Sequence, residues 1–425
     1  MIEHILTSSR CTGLLPLISR GTLRILVLFQ YFQSPDAPGT GRHYSFVRSW
    51  AQRHEVTVVT AHSELTQPLS QRFPAAPAGV RLESFPVDYA NRMGIGRRLR
   101  AYRRFARSAV EFGKRIERPD VIFGTSTPLT VGWAARKLAR HWGVPWIFEV
   151  RDLWPDFPIQ MGAVPGRWLQ ERLRKLESSL YRDADHVVTL SPDMERHVLE
   201  RGGSRGRVTT LLNGTSFELL DAADSSTPEL LRVRFGLGRK KVILYAGSFG
   251  RANGIPAILE AARLLRDRDD LIFVFVGSGY ARDAVDRAAA AQPNVVSVPP
   301  VPKHAIFDWH RLADLSLVTF IDLPVLATNS PSKFFDSLAC GTPVLVTNTG
   351  WTRAFVEAHH CGWFIDALTP DRLAATITQL ADRPEDLVER GRNGTVAARS
   401  LFDRQRIADS LEATMADVVA RSQTR

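Results

Sequence analysis

Cysteine is nearly absent: three residues in 425, Cys11, Cys340 and Cys361. An odd count with no C-x-x-C spacing excludes a disulfide framework and a structural zinc as organising devices, and a reducing, cytoplasmic compartment is expected. Long hydrophobic runs are missing too. The patch Leu14–Ile18 is broken by Pro16 and flanked by Arg10 and Arg20. It falls far short of the about 20 apolar residues that cross a bilayer, and it has no convincing cleavage site. Residues 1–22 read as a loose extension, for which an upstream start codon is one account. There are no internal repeats and no low-complexity tracts. Basic residues are not interleaved with aromatics in an RNA-reading pattern, which argues against a nucleic-acid partner.

What is abundant is positive charge, with a formal net charge of +11 and a pI of about 10.0. That implies attraction to something anionic: nucleic acid, an acidic membrane surface or phosphorylated ligands. Charge alone does not choose. At 47.4 kDa the chain is too long for one compact core, and 44% hydrophobic residues suffice to fill two.

The pattern along the chain alternates strand and helix. Leu23–Phe29 is a continuous apolar run, typical of a strand buried on both faces of a parallel sheet. It leads through a Gly-rich turn (Gly39, Gly41) into a helix from Arg42 to Arg53. Such turns let backbone N–H groups approach a phosphate, although Gly-Thr-Gly is only a fragment of a dinucleotide fingerprint. His43, just inside that helix, is expected to be solvated or capping. Further strands are expected at Val56–Val59, Asp120–Gly124, Pro145–Val150, Asp185–Ser191 and Val208–Gly214. The polar stretch Asp221–Pro228 reads as a connector. A second series begins at Lys241 and closes with Gly362–Ile365, and a last helix runs from Ile407 through Val419. The expected fold class is α/β: two Rossmann-like domains facing a cleft, at residues 23–214 and 215–400, with residues 401–425 crossing back to the first.

Three stretches carry chemistry. In Asn329–Pro343, Ser330 reads as an N-cap, Pro331 as the first helical residue and Gly341 as the left-handed stop. Lys333 and Asp336 then lie three apart near the helix start, where a phosphate is favoured and a carboxylate can accept two neighbouring hydroxyls. An ordinary surface helix with a Lys/Asp pair explains the same pattern. Glu149, Arg151 and Asp152 follow the strand Pro145–Val150, at the end where open parallel sheets bind ligands. Asp152 is the first candidate to face an acceptor hydroxyl and Glu149 the second; a plain Arg151–carboxylate ion pair is the alternative. Residues 97–116 form a basic amphipathic helix, its apolar stripe Leu99, Tyr102, Phe105 and Ala106 suited either to an anionic membrane or to a core.

The segments Glu149-Val-Arg-Asp-Leu-Trp-Pro-Asp156 and Pro331-Ser-Lys-Phe-Phe-Asp-Ser-Leu-Ala-Cys-Gly-Thr-Pro-Val344 resemble family 4 glycosyltransferases of the GT-B fold, especially the bacterial fucosamine-transferase-like branch of surface-polysaccharide enzymes. The resemblance extends from about residue 23 to 420. It implies a carboxylate at Asp336 that holds the ribose of a nucleotide diphosphate. The family usually has Glu there, the second of an E-x7-E pair whose first position falls on Thr328, and the shorter Asp has to approach more closely. It also implies that Gly39 and Gly41 border the donor diphosphate and the acceptor cleft, that Gly277 lies in the donor site, and that Pro299–Lys303 cups the nucleobase. Arg251 is expected on the diphosphate; the Lys that relatives pair with it reads as Asn253, which shifts charge onto Lys333. More distant members carry a catalytic His near residue 150, and this chain has none there.

The function so implied is sugar transfer, usually retaining, from a nucleotide-diphosphate sugar, with UDP expected, to a hydroxyl of a polyprenyl-diphosphate-linked glycan in lipopolysaccharide or exopolysaccharide synthesis. The same resemblance implies no cofactor and no metal. Residues 97–116 would face an anionic membrane, giving a peripheral protein on its cytoplasmic side. A nucleotide-sugar 2-epimerase of the same fold is the alternative, and a basic nucleic-acid-binding protein a remote one.

Overall fold

A computed structural model of the chain describes residues 21–37, 39, 41–63, 76–89, 93–224 and 226–424. The expectations for residues 1–20, Cys11 included, lie outside them. The chain divides into two compact units, one comprising the chain up to Ser34, Gly41–Leu212 and Gln405–Arg425, the other Pro35–Thr40 and Asn213–Arg404.

The first unit holds a seven-stranded sheet built from β1 (Arg24–Leu28), β2 (Glu55–His62), β3 (Val80–Pro86), β4 (Val121–Thr125), β5 (Trp146–Val150), β6 (His186–Thr189) and β7 (Val208–Thr210). Its order is β3-β2-β1-β4-β5-β6-β7, and every pairing is parallel. A parallel strand covered on both faces has no wet side, which is why β1, β4 and β5 are mostly apolar, Glu149 on β5 being a charged exception. Ile25, Val27, Phe46, Trp50, Phe123 and Ile147 pack in one core with Ile407, Leu411, Met415 and Val418 of the last helix. Each such side chain contributes about 1.5–3 kcal/mol of burial. Trp50 Nε1 also donates to the Ala408 carbonyl at 3.2 Å, fixing the helix's register. The C-terminal helix therefore packs in the first unit.

The helices that matter to function are α1 (Arg42–Trp50), α2 (Ile95–Gly113), α3 (Lys303–Leu312) and α4 (Ser332–Ala339). In α2 the stripe weighed as a membrane face is core: Tyr102, Phe105 and Ala106 are 4%, 0% and 2% exposed. Of that stripe only Leu99 is exposed; Arg97, Arg100, Arg103, Arg104 and Arg107 line the solvent side.

The second unit's sheet is also parallel, order β10-β9-β8-β11-β12-β13. Its strands are β8 (Lys241–Ser248), β9 (Leu271–Ser278), β10 (Val295–Val298), β11 (Leu315–Val318), β12 (Val344–Val346) and β13 (Gly362–Phe364). Gly277 and Gly279 at the end of β9 have φ of 148° and 149°. A Cβ on Gly277 would stand 1.9 Å from the Gly247 carbonyl oxygen. These glycines are demanded by two backbones in close approach, independently of any ligand.

Candidate active site

In the first unit the site grows from Glu149, whose side chain is wholly buried on β5. Its Oε1 accepts Arg42 Nε at 3.1 Å, and its Oε2 accepts Thr125 Oγ1 at 2.7 Å and pairs with His43 Nε2 at 2.5 Å. Arg42 donates onward to the carbonyls of Leu212 and Leu211, at 2.6 and 3.2 Å. Burial alone would raise the Glu149 pKa, but His43 and Arg42 together hold the carboxyl well below the usual range. Burial lowers His43 to about 4 against the pull of Glu149. Two expectations are corrected here. His43 is neither solvated nor a cap, at 3% exposed, and Glu149 is sealed off from any acceptor, its charge spent on three donors that it positions.

Arg151 and Asp152 follow at the strand's end, and both are half-buried. The Arg151 N–H donates to Ser126 Oγ at 3.0 Å, its guanidinium lies 5.2 Å from the Phe29 ring centroid, and its buried Nε has no hydrogen-bond partner. The Arg151–carboxylate ion pair weighed above does not form among the described residues. Desolvation pushes Asp152 up to about 6, with Arg151 opposing. A carboxyl titrating there is poised to exchange a proton near neutral pH. Gly41, with φ 63°, opens α1, while Gly39 is exposed in the short segment that clusters with the second unit.

In the second unit, β8 delivers the loop Gly247–Gly254. Asn253 Nδ2 donates to the Ser248 carbonyl at 3.0 Å, so Asn253 closes the loop on itself. Arg251 is exposed, its guanidinium 4.2 Å from the Tyr280 ring centroid. Lys333, from α4, reaches back under this loop: a Cβ on Gly247 would lie 3.8 Å from Lys333 Nζ. That ammonium lies 3.5 Å from the Tyr245 ring centroid, is shielded from solvent and makes no hydrogen bond. Desolvation lowers its pKa well below that of a free lysine.

Asp336 does not pair with Lys333. It is 3% exposed; Oδ2 holds Lys303 Nζ at 2.5 Å and Oδ1 accepts Thr215 Oγ1 at 2.7 Å. Helix α4 also starts later than expected, with Pro331 rather than Ser330 at the cap. The reason is Asn213, whose Nδ2 donates to the Ser330 carbonyl at 3.1 Å and to Ser332 Oγ at 3.0 Å and so holds the entering chain extended. Gly341 ends the helix with φ 80°, as expected. Thr328 Oγ1 is turned to the Val325 carbonyl of its own turn. Lys303 is the residue that sequence reasoning missed as a side chain. One signal existed: the chain uses Lys seven times against 48 Arg, so a Lys entering an apolar helix is a marked choice.

The sequence matches a glycosyl transferase 4-like domain over residues 39–214 and the glycosyl transferases group 1 over residues 229–396. The chain belongs to the family 4-like glycosyltransferases. WcaI of Escherichia coli strain K12, assigned as a glycosyl transferase of colanic acid biosynthesis, is 25% identical over 336 residues, spanning 75% of this chain and 82% of that protein. Among solved structures, sucrose-phosphate synthase from Thermosynechococcus elongatus shares the fold with a TM-score of 0.73 at 17% identity, covering 94% of this chain and all of that one. HepE of Anabaena, solved with UDP-glucose, gives 0.68 at 16%, covering 93% and 100%. The transferase thus has the GT-B fold.

Two Asp-x-Asp triplets occur in this glycosyltransferase, and both are engaged or scattered. Asp183 is bonded to Arg136 and Arg140 at 3.1 and 2.9 Å, Asp185 accepts the Trp146 N–H at 3.1 Å, and Asp267 is 90% exposed beside Arg266. Among the described residues no three His, Cys, Asp or Glu side chains are grouped to hold a metal ion. Nor is any described helix long and apolar enough to cross a membrane.

Proposed function

We propose that this glycosyltransferase moves a sugar, with retention, from a nucleoside-diphosphate sugar, UDP-linked, to a hydroxyl of a lipid-carried glycan in surface-polysaccharide synthesis. The observation that carries the donor half is Lys333: a buried ammonium without a hydrogen bond, beside an exposed glycine at the carboxyl end of β8. An uncompensated buried cation is costly unless a ligand supplies the anion, and this end of an open parallel sheet is where ligands sit. Lys333 and Arg251 then neutralise the diphosphate as it leaves, with no metal or cofactor required. Asp336 fixes Lys303, and with it the turn Pro299–Lys303 at the nucleobase. HepE is solved with UDP-glucose, and WcaI is assigned to colanic acid biosynthesis.

On the acceptor side Asp152 faces the hydroxyl, and the Glu149 network holds the strand end from which it projects. The arginine face of α2 draws the enzyme to anionic headgroups by charge alone, about 1 kcal/mol per residue near the surface, since its apolar stripe is core.

Calorimetry with UDP and GDP tests the donor reading. Micromolar UDP binding that weakens at least tenfold in Lys333→Met and Arg251→Ala supports it. Binding of neither nucleotide removes it.

A further inference from the structure

Away from Glu149, the carboxyl edge of the first sheet carries a second polar cluster. Tyr31 follows β1, Tyr89 follows β3, Trp154 follows β5, and Tyr102 rises from α2. The ring centroids of Tyr31 and Tyr89 are 5.1 Å apart, those of Tyr89 and Tyr102 5.8 Å, and Tyr102 meets Trp154 edge to face at 5.8 Å. Tyr102 is buried, whereas Tyr31, Tyr89 and Trp154 are half-buried.

One hydroxyl of this cluster, that of Tyr31, is poorly satisfied. Tyr102 Oη donates to Tyr89 Oη at 3.4 Å, long for a bond between hydroxyls. Tyr31 Oη is enclosed with no well-formed hydrogen bond. Each buried polar group left this way costs about 1–3 kcal/mol, and Phe or Leu would fill the same space without that cost.

We propose that Tyr31, Tyr89, Tyr102 and Trp154 form the subsite for a pyranose ring of the acceptor, two residues along the chain from Asp152. A sugar ring offers CH faces to aromatic faces and hydroxyls to phenol groups, the mixed demand this cluster makes. A polyprenyl chain would leave the Tyr31 hydroxyl unpaired, so the glycan rather than its lipid is the occupant. The inference rests on the transferase reading for calling this sugar an acceptor.

The test uses the full-length protein and saturation-transfer NMR with the methyl glycosides of glucose, galactose, mannose and N-acetylglucosamine, with geranyl phosphate as an apolar probe and UDP as a donor-site probe. At least one glycoside is expected to receive saturation on its ring CH protons, with its affinity falling roughly fivefold in Tyr31→Phe and further in Trp154→Ala. Tyr31→Phe keeps the ring and removes an unpaired oxygen, so its melting temperature is expected to hold or rise, which separates lost binding from lost fold. The subsite is overturned if UDP binds and no glycoside does, if neither variant weakens glycoside binding, or if geranyl phosphate alone binds in a Trp154-dependent way. Glycoside binding without UDP binding would keep the subsite and remove the donor reading instead.

Discussion

Lys303 Nζ lies 2.5 Å from Asp336 Oδ2, and neither side chain is more than 5% exposed. Burial raises the Asp336 pKa, but Lys303 and His310 outweigh it and the carboxyl titrates below the usual range. Removing one partner of a buried pair strands the other, at a cost of about 3–5 kcal/mol. Asp336→Asn and Lys303→Met are each expected to be destabilised on that scale in urea titrations, and the double variant Lys303→Met/Asp336→Leu to recover most of the loss. Because the folded pKa is depressed, this stabilisation is present above the ordinary carboxyl range and is lost as pH falls through the folded value. Equal losses in single and double variants would show that the ion pair is not the organising contact.

Lys333 should behave in the opposite way. Its ammonium is desolvated and unpaired, so Lys333→Met is expected to raise stability by on the order of 1 kcal/mol while weakening UDP binding at least tenfold. Gain of stability with loss of binding marks a side chain kept for a ligand. A destabilised variant that still binds UDP would make Lys333 a packing residue over Tyr245.

Asp152, pushed up to about 6 by desolvation, gives a pH signature. As a proton acceptor it works when ionised, so kcat/KM for transfer is expected to rise as pH climbs through about 6. Asp152→Asn should abolish that limb and lower the rate by roughly 10²–10⁴. Stability runs the other way. A carboxyl with a raised folded pKa favours the folded state fully below its unfolded pKa, and that contribution disappears as pH rises through about 6. An unchanged pH–rate limb in Asp152→Asn would assign the titration elsewhere.

Gly277→Ala tests the close approach of β8 and β9. A Cβ 1.9 Å from the Gly247 carbonyl oxygen cannot be accommodated without moving a strand end. A loss of about 3 kcal/mol or more is expected from the clash and the positive φ together, and UDP affinity should fall with it. Wild-type stability in this variant would contradict the geometry of the loop.

The strands were legible because burial on both faces favours apolar runs, and Gly341 because few other residues end a helix left-handed. The site was less legible where its partners are distant in sequence. His43 meets Glu149 across 106 residues, Lys303 meets Asp336 across 33, and Asn213 displaces the cap at Ser330 from 117 residues away. Local rules for capping and helix pairs had no access to those partners. The α2 stripe was ambiguous for another reason: burying Tyr102 and Phe105 in a core or in a membrane demands the same spacing.

The most direct measurement is nucleoside diphosphate release by the purified protein from a panel of UDP- and GDP-sugars in EDTA, with and without a membrane extract containing lipid-linked acceptors. The account predicts release that depends on the extract, persists in the chelator and is lost in Lys333→Met. Conversion of the sugar nucleotide without any acceptor, or no turnover of any donor, would contradict it.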